Sequence, residues 1–320
     1  MNQLEQLKQM TTIVADTGEV EEIRKYIPQD ATTNPTLIMK ASGQPEYDYL
    51  IEDAVKYAKT KGSAEVAQEM FLLPKLFVNF GAEILKIIPG RVSTEVDAHL
   101  SFSVQGSIDQ ARFIISLYEE MGIPRDRVLI KLASTWEGIM AARALEKEGI
   151  HCNMTLLFSL VQAVACADAK ATLISPFVGR ILDWYKKSEG VEGYAPEEDP
   201  GVRSVATIYH YLKHHNHPIL IMGASFRNKE EIIQLAGCDL LTISPQLLAE
   251  LEKSKDPVVR KLDPEKAKLT PIEQIPIDEE SFRYRLNDDA MATEKLGEGI
   301  RGFARDYTKL KQTIVKKYFS

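Results

Sequence analysis

The sequence predicts an α/β fold, a (β/α)8 TIM barrel with extra helices that include a long C-terminal helix. Runs rich in apolar and β-branched residues alternate with amphipathic segments along the chain, and this alternation is typical of a parallel sheet. Eight such runs favour closure of the sheet into a barrel. A bare barrel needs only about 250 residues, so a chain of 320 residues has room for additional helices. No repeat or boundary divides the sequence, and we expect one domain over residues 1–320.

The predicted strands are short and evenly spread. They lie at residues 12–17, 30–35, 91–98, 128–134, 152–158, 172–179, 219–226 and 240–244. Residues 46–88 form a long helical insertion between the second and third strands. After the last strand, a loop rich in proline and charge leads into a helix from about residue 288 to 317.

Several helix ends can be read from single residues. Ser134 with Glu137, and Ser159 with Gln162, fit the capping box, in which two side chains satisfy free N–H groups of the first turn. Ser107 begins another predicted helix. Gly122, Gly149 and Gly237 end helices, because glycine best tolerates the left-handed turn there.

Composition and motifs disfavour several partners and cofactors. The formal net charge of −7 argues against general nucleic-acid binding, since such proteins are usually basic. No apolar run approaches a membrane span, and the N-terminus lacks the regions of a signal peptide. Three cysteines without paired spacing agree with a reducing compartment, so we expect a cytoplasmic protein. There is no nucleotide-binding glycine motif and no histidine in ligand spacing with a carboxylate, so we expect no cofactor and no metal.

Polar side chains interrupt strands that should be apolar. A parallel barrel strand is buried on both faces, so it normally reads as a nearly continuous apolar run. Seven predicted strands depart from this pattern. The residues concerned, strand by strand, are Asp16; Thr32 and Asn34; Ser93, Glu95 and Asp97; Lys131; Asn153 and Thr155; Ser175; and Ser225 and Arg227, on one face with Gly223. If these faces point inward, they meet at the C-terminal mouth of the barrel, where such enzymes hold their catalytic groups.

Lys131, in the apolar strand VLIKLAST, has two interpretations. It is either a structural partner for Glu95 or Asp16, or a nucleophile that forms a Schiff base with a carbonyl substrate. An amine attacks only when neutral, and burial that lowers a lysine pKa to about 8 makes about a tenth of it neutral at pH 7. Glu95 and Thr155 could then activate water, and Asp16 could act as a base.

Arg180, Ser225 and Arg227 are candidates for a phosphate site. Arg180 follows the sixth strand and Arg227 follows the seventh, Ser225 lies beside Arg227, and a helix is predicted to begin at Asn228. Loops after late strands and a helix N-terminus form the usual phosphate site of a barrel. The alternative is that the arginines are surface residues paired with Asp or Glu.

Eight segments, in this order, resemble the transaldolase family. They are TIVADTG, DATTNPT, GRVSTEVDA, VLIKLAST, CNMTLLFS, ISPFVGRILDW, DPGV and MGASFRN, and the likeness runs from about residue 10 to 310. The resemblance implies an enzyme of the pentose phosphate pathway that acts on phosphorylated ketose and aldose sugars. It would transfer a dihydroxyacetone unit from sedoheptulose 7-phosphate to glyceraldehyde 3-phosphate, giving erythrose 4-phosphate and fructose 6-phosphate. A homodimer without metal or organic cofactor is also implied.

The resemblance also implies a role for each site residue. Lys131 forms the Schiff base, Glu95 acts through water with the help of Thr155, and Asp16 is the base for carbon–carbon bond cleavage. The substrate-binding residues are Thr32, Asn34, Asn153, Ser175 and Phe177, with Arg180, Ser225 and Arg227 at the phosphate. Two alternatives stay open: an aldolase that releases free dihydroxyacetone from fructose 6-phosphate, and a catalytically silent sugar-phosphate-binding barrel.

Overall fold

The computed structural model describes residues 1–269 and 271–319. Eight strands close into a parallel barrel in sequence order, which confirms the predicted fold. They are β1 Thr12–Asp16, β2 Asp30–Thr32, β3 Val92–Glu95, β4 Val128–Ala133, β5 Cys152–Leu157, β6 Leu173–Pro176, β7 Leu220–Gly223 and β8 Leu240–Ile243. Each strand lies inside its predicted range and ends before the predicted C-terminal limit. The residues left over form the loops of the barrel mouth.

The helices surround the barrel and extend beyond it. In the part of the chain that the structure describes, they are α1 Gln3–Leu7, α2 Val20–Tyr26, α3 Pro35–Ala41, α4 Asp48–Lys59, α5 Ala64–Val66, α6 Leu72–Leu85, α7 Val104–Glu120, α8 Trp136–Lys147, α9 Leu160–Asp168, α10 Gly179–Glu189, α11 Pro200–His214, α12 Lys229–Gln234, α13 Pro245–Lys253, α14 Pro264–Leu269, α15 Glu279–Asp288 and α16 Ala290–Tyr318. The predicted insertion corresponds to α4, α5 and α6, with a π-helical turn at Ala67–Phe71.

Two of the predicted helix starts are wrong, each for a local reason. α7 begins after Ser103, whose side chain accepts the N–H of Gly106, while Ser107 is already inside the helix. α8 begins after Thr135, which accepts the N–H of Gly138 at 2.9 Å. Ser134 instead donates to the carbonyl of Thr155, so it fastens β4 to β5. The capping box of α9, formed by Ser159 and Gln162, is confirmed.

The long helix α16 crosses the C-terminal mouth of the barrel. It packs against α3, α10 and α15 and against the end of β5. Trp184 on α10 donates to Glu294 at 2.7 Å near the start of α16. Near its other end, Lys317 lies 3.2 Å from Asp48 on α4. The helix is therefore held on opposite sides of the barrel, and its middle part lies over the mouth.

Candidate active site

An apolar layer forms the floor of the site inside the barrel. Its members are Val14, Leu129, Leu173, Met222 and Leu240. Side chains alternate along a strand, so the residue two positions further on points to the same side. That residue is Asp16 on β1, Lys131 on β4, Ser175 on β6 and Thr242 on β8. All four line one cavity above the floor. The prediction that these polar faces point inward is confirmed for β1, β4 and β6.

Lys131 is buried among the polar residues above the floor, with 5% of its surface exposed. Its Nζ lies 3.4 Å from Oε2 of Glu95 on β3 and donates to the carbonyl of Thr33 at 3.2 Å. Glu95 and Lys131 are paired in the register of β3 and β4, so the sheet itself fixes their approach. The carboxylate and the carbonyl together orient an amine that has little contact with solvent.

Two carboxyl groups face the lysine from different strands. Burial raises the pKa of Asp16, and the charge of Lys131 together with a hydrogen bond from Thr32 opposes that effect. Burial likewise raises the pKa of Glu95 against the attraction of Lys131. Carboxyl groups with raised pKa values hold and release protons closer to neutral pH, which suits acid–base chemistry.

Thr32 connects Asp16 to the neighbouring strands. Its hydroxyl donates to Oδ1 of Asp16 at 3.1 Å and lies 2.7 Å from the hydroxyl of Thr242 on β8. Asn34 lines the cavity from the end of β2 while its Oδ1 caps α3 by accepting the N–H of Leu37 at 3.0 Å. Since the cap uses the oxygen of Asn34, its amide N–H groups are what the side chain offers to the cavity.

A short chain of hydrogen bonds fixes the amide of Asn153. Ser175 donates to its Oδ1 at 2.6 Å, and its Nδ2 donates to Ser93 at 3.0 Å. Ser175 thereby uses its only hydrogen, so it presents an acceptor to the cavity that it lines. The three residues lie on β3, β5 and β6, and the sequence pattern predicts each on the inward face of its strand.

Thr155 and Glu95 carry buried oxygen atoms with few partners: that of Thr155 has none among the described residues, and that of Glu95 has only the amine of Lys131, at 3.4 Å. The atoms are Oγ1 of Thr155 and Oε2 of Glu95. Such groups in a folded protein are rare and costly, by about 1–3 kcal/mol each. They occur here beside the lysine, where a reacting molecule would supply the missing partner.

Two inward-facing predictions are wrong. On β7, Leu220 and Met222 face the floor, so Gly223 points outward, toward Leu241. Ser225 still lines the cavity because its backbone is left-handed, with φ +63°, which breaks the alternation beyond the strand. Asp97 lies beyond the end of β3. There it accepts the N–H of His99 at 3.0 Å and caps a short 3-10 helix.

The two arginines have different surroundings. The guanidinium of Arg180 lies between the rings of Phe177 and Phe303, 4.9 and 5.5 Å from their centres, and burial lowers its pKa. Arg227 is paired with Asp183 on α10 at 2.7 Å, as the surface interpretation expected. Its Nη1 nevertheless stays 3.5 Å from the hydroxyl of Ser225.

Sequence reasoning did not identify Thr242 and Phe303 as parts of the site. Thr242 follows Leu240 at the spacing of an inward face, so the period-two pattern of β8 contained the signal. Phe303 comes from α16, and nothing local in the sequence relates that helix to the mouth. With Phe303 in place the cavity has a volume of about 60 Å³.

No membrane-spanning helix and no metal cluster are found in residues 1–269 and 271–319. None of the helices there combines the length and apolar character needed to cross a membrane. No three His, Cys, Asp or Glu side chains in those ranges are placed to hold a metal ion.

The fold and the site together define the class of this protein. A closed parallel barrel with a buried lysine and two carboxyl groups at its C-terminal mouth is a (β/α)8-barrel enzyme. The family model described as transaldolase/fructose-6-phosphate aldolase matches residues 13–314. The chain belongs to that family.

Curated relatives resemble the chain over nearly its whole length. A transaldolase of Protochlamydia amoebophila is 63% identical over 318 residues, which cover 99% of this chain and 98% of the relative. Transaldolase A of Escherichia coli K12 is 55% identical, and transaldolase A of Salmonella typhimurium is 56% identical, each over 99% of this chain and all of the relative. Within its family the chain is thus a transferase of the transaldolase type.

Proposed function

We propose that this enzyme transfers a dihydroxyacetone unit from sedoheptulose 7-phosphate to glyceraldehyde 3-phosphate through a Schiff base on Lys131. The products are erythrose 4-phosphate and fructose 6-phosphate. The observation that carries the proposal is the buried amine of Lys131, held 3.4 Å from Glu95 above an apolar floor. A buried lysine beside an acid–base group is the arrangement that imine chemistry requires.

The first step forms the imine. Neutral Nζ of Lys131 adds to the ketone carbon, and the carbonyl oxygen becomes a hydroxyl. That hydroxyl leaves as water when it receives a proton, and the nitrogen becomes an iminium. Glu95 and Thr155 are the proposed proton relay, because their buried oxygens lie free of other hydrogen bonds beside the lysine.

The second step breaks the carbon–carbon bond. Asp16 removes the proton of the hydroxyl on the carbon that leaves, and the electron pair of the broken bond moves into the iminium. An aldehyde departs and an enamine remains on Lys131. The acceptor aldehyde then reacts in reverse order, with Asp16 returning its proton, and water frees the new ketose. The raised pKa of Asp16 favours both transfers.

The remaining polar groups are proposed to bind the substrate. Asn34 and Ser175 line the cavity and offer amide hydrogens and a hydroxyl oxygen to the three-carbon unit, and Asn153, hydrogen-bonded to Ser175, is proposed to bind it with them. Thr32 orients Asp16. Arg180, Ser225 and Arg227 are proposed to hold the phosphate, with Phe177 under Arg180.

Borohydride reduction with fructose 6-phosphate tests the proposal. Reduction should fix a covalent adduct on the peptide that contains Lys131, as measured by mass spectrometry. Lys131→Met should abolish the adduct. Lys75→Met is the matched control, because Lys75 is also buried but pairs with Asp53 on α4, and it should leave the adduct unchanged. No adduct on the wild-type peptide would contradict both imine chemistry and transfer.

Free dihydroxyacetone separates transfer from the aldolase alternative. With fructose 6-phosphate and no acceptor, a transferase retains the enamine and releases little dihydroxyacetone, whereas an aldolase releases it continuously. The transaldolase relatives favour transfer.

Other parts of the proposal concern the setting of the enzyme. We infer one domain over residues 1–320, a homodimer, and a role in the cytoplasmic pentose phosphate pathway. Three free, buried cysteines support a reducing compartment. No cofactor takes part in the proposed steps, so dialysis against EDTA should leave activity intact.

A further inference from the structure

Two buried carboxyl groups outside the catalytic centre face each other behind the phosphate site. Glu231 on α12 and Asp199 at the start of α11 are 1% and 4% exposed. The two side chains lie close enough for each to influence the pKa of the other. Neither group has a role in the steps proposed above.

Each carboxyl group also holds backbone of a different element. Asp199 accepts the N–H groups of Gly201 and Val202 at 2.8 and 3.2 Å, which begins α11. Glu231 accepts the backbone N–H of Arg227 at 2.7 Å. A hydrogen bond between the two carboxyl groups would therefore join the first turn of α11 to the loop that carries Arg227.

Close backbone contacts join these elements to the rest of the phosphate site. The N–H of Gly179, at the start of α10, donates to the carbonyl of Ser225 at 2.9 Å. A Cβ atom on Gly179 would lie 2.6 Å from Cγ of Arg227, and one on Gly201 would lie 2.1 Å from the carbonyl oxygen of Val178. Because these segments are packed so closely, the start of α10, the start of α11 and the loop of Ser225 and Arg227 are coupled in position.

A hydrogen bond between the two carboxyl groups requires a proton. Oε1 of Glu231 is buried and accepts no hydrogen bond from an N–H or O–H group of the described residues. Ionised carboxylates only accept hydrogen bonds, so Glu231 and Asp199 can be hydrogen-bonded only if one of them is protonated. Burial, with a smaller contribution from Asp199, raises the pKa of Glu231 to about 7. The other charge near Glu231 is Arg227, and Asp183 already pairs with that arginine.

We propose that Glu231 is a positioning residue: its protonated form fixes the loop of Ser225 and Arg227, and its ionisation weakens binding of the phosphate group. Ionised Glu231 repels Asp199, and the α11 tie to the loop is lost. The inference rests on the proposed function for its substrate, a sugar phosphate.

Sulfate is the probe for a direct test. Its charge stays constant between pH 6 and 8.5, whereas a phosphate ester titrates near pH 6. Calorimetric titration of the wild type should give a sulfate Kd that rises about fivefold over this range, the effect of about one lost hydrogen bond. Glu231→Gln should keep the low-pH Kd throughout, because its amide donates to Asp199 and accepts from Arg227. Glu230→Gln, an exposed neighbour on α12, should behave as the wild type.

Kinetics supply the second readout. The ratio of the KM values of the wild type and Glu231→Gln for fructose 6-phosphate should follow the ratio of their sulfate Kd values, because titration of the ester affects both proteins alike. The kcat should keep the same pH dependence in all three proteins. A wild type whose sulfate affinity is constant with pH, or a Glu231→Gln variant that retains the wild-type dependence, would overturn the inference. Asp199→Asn gives the same test if Glu231→Gln does not fold, since it removes the opposing carboxylate. Failure to trap Lys131 would refute the proposed function and leave the sulfate result standing.

Discussion

Replacing the hydroxyl of Thr155 should affect catalysis and stability in opposite directions. Because no described group hydrogen-bonds this buried atom, replacing it with a methyl group removes a desolvation cost. We expect Thr155→Val to keep or raise the free energy of unfolding by about 1 kcal/mol. Loss of the proton relay should lower kcat about 100-fold, within the usual range for general acid–base groups. Urea unfolding and steady-state kinetics measure the two effects.

Thr94→Val is the matched control for Thr155→Val, because Thr94 is also a buried threonine of a barrel strand, β3, but faces the helices instead of the barrel interior. Its hydroxyl lies 2.6 Å from that of Tyr118, on the helix side of the barrel. The variant should lose stability, because Tyr118 is left without its partner, and should keep kcat. If both variants lost stability and activity together, Thr155 would be a packing residue.

Thr32 sets the pH at which Asp16 can act as a base. Its hydrogen bond lowers the pKa of Asp16 against the effect of burial. Thr32→Val should therefore raise that pKa further and move the acid limb of kcat/KM to higher pH. Activity should fall several-fold near pH 6 and change little near pH 8. Thr33→Val removes a bond to the carbonyl of Ser93 instead, and a shifted acid limb in that variant would count against the assignment.

At the scale of elements, two glycines of α16 test how closely the helix must approach the mouth. Alanine favours a helix over glycine by about 1 kcal/mol. Gly302 has open space at its Cβ position, so Gly302→Ala should stabilise the protein by about that amount. At Gly299 the same atom would lie 2.6 Å from Cδ2 of the buried Leu156 and 3.4 Å from Arg180. Gly299→Ala should therefore lower Tm and raise KM, as thermal unfolding and kinetics would measure.

The elements were predictable from the sequence wherever a repeating pattern extends over several residues. All eight strands were found because apolar runs alternate with amphipathic ones. Starts of single helices were less certain: Ser103 and Ser107, like Ser134 and Thr135, are equally good caps by composition. Tertiary hydrogen bonds decide between them, as the bond from Ser134 to Thr155 illustrates.

At the scale of the whole molecule, the inward faces predicted most of the site because the barrel brings strand ends together. The alternation of side chains along each strand was enough to predict that Lys131, Glu95 and Asp16 point into the barrel. The phosphate end did not follow from parity, since the backbone of Ser225 is left-handed. The position of α16 over the mouth, and with it Phe303, depends on packing between distant parts of the chain.

The free energy of unfolding of the whole molecule should fall as pH rises, because of its buried carboxyl groups. Burial raises the pKa of Asp16, Asp30, Glu95, Asp199 and Glu231. Between the ordinary carboxyl pKa and the raised one, the folded state binds more protons than the unfolded state, so the free energy of unfolding falls as pH rises. The negative net charge adds self-repulsion in the same direction. His217 opposes the trend near pH 6, because burial lowers its pKa.

The contribution of Glu231 to that trend can be isolated. Its pKa rises from 4.5 to about 7, so its penalty is absent below pH 4.5 and complete above pH 7. We expect the wild type to have a higher Tm near pH 5 than near pH 8. Glu231→Gln carries no titrating group there, so it should match the wild type near pH 4.5, exceed it increasingly up to about pH 7 and keep that advantage up to pH 8. A Tm difference that stays constant with pH would mean that folding does not raise the pKa of Glu231, and the carboxyl pair could then not hold the phosphate loop as proposed.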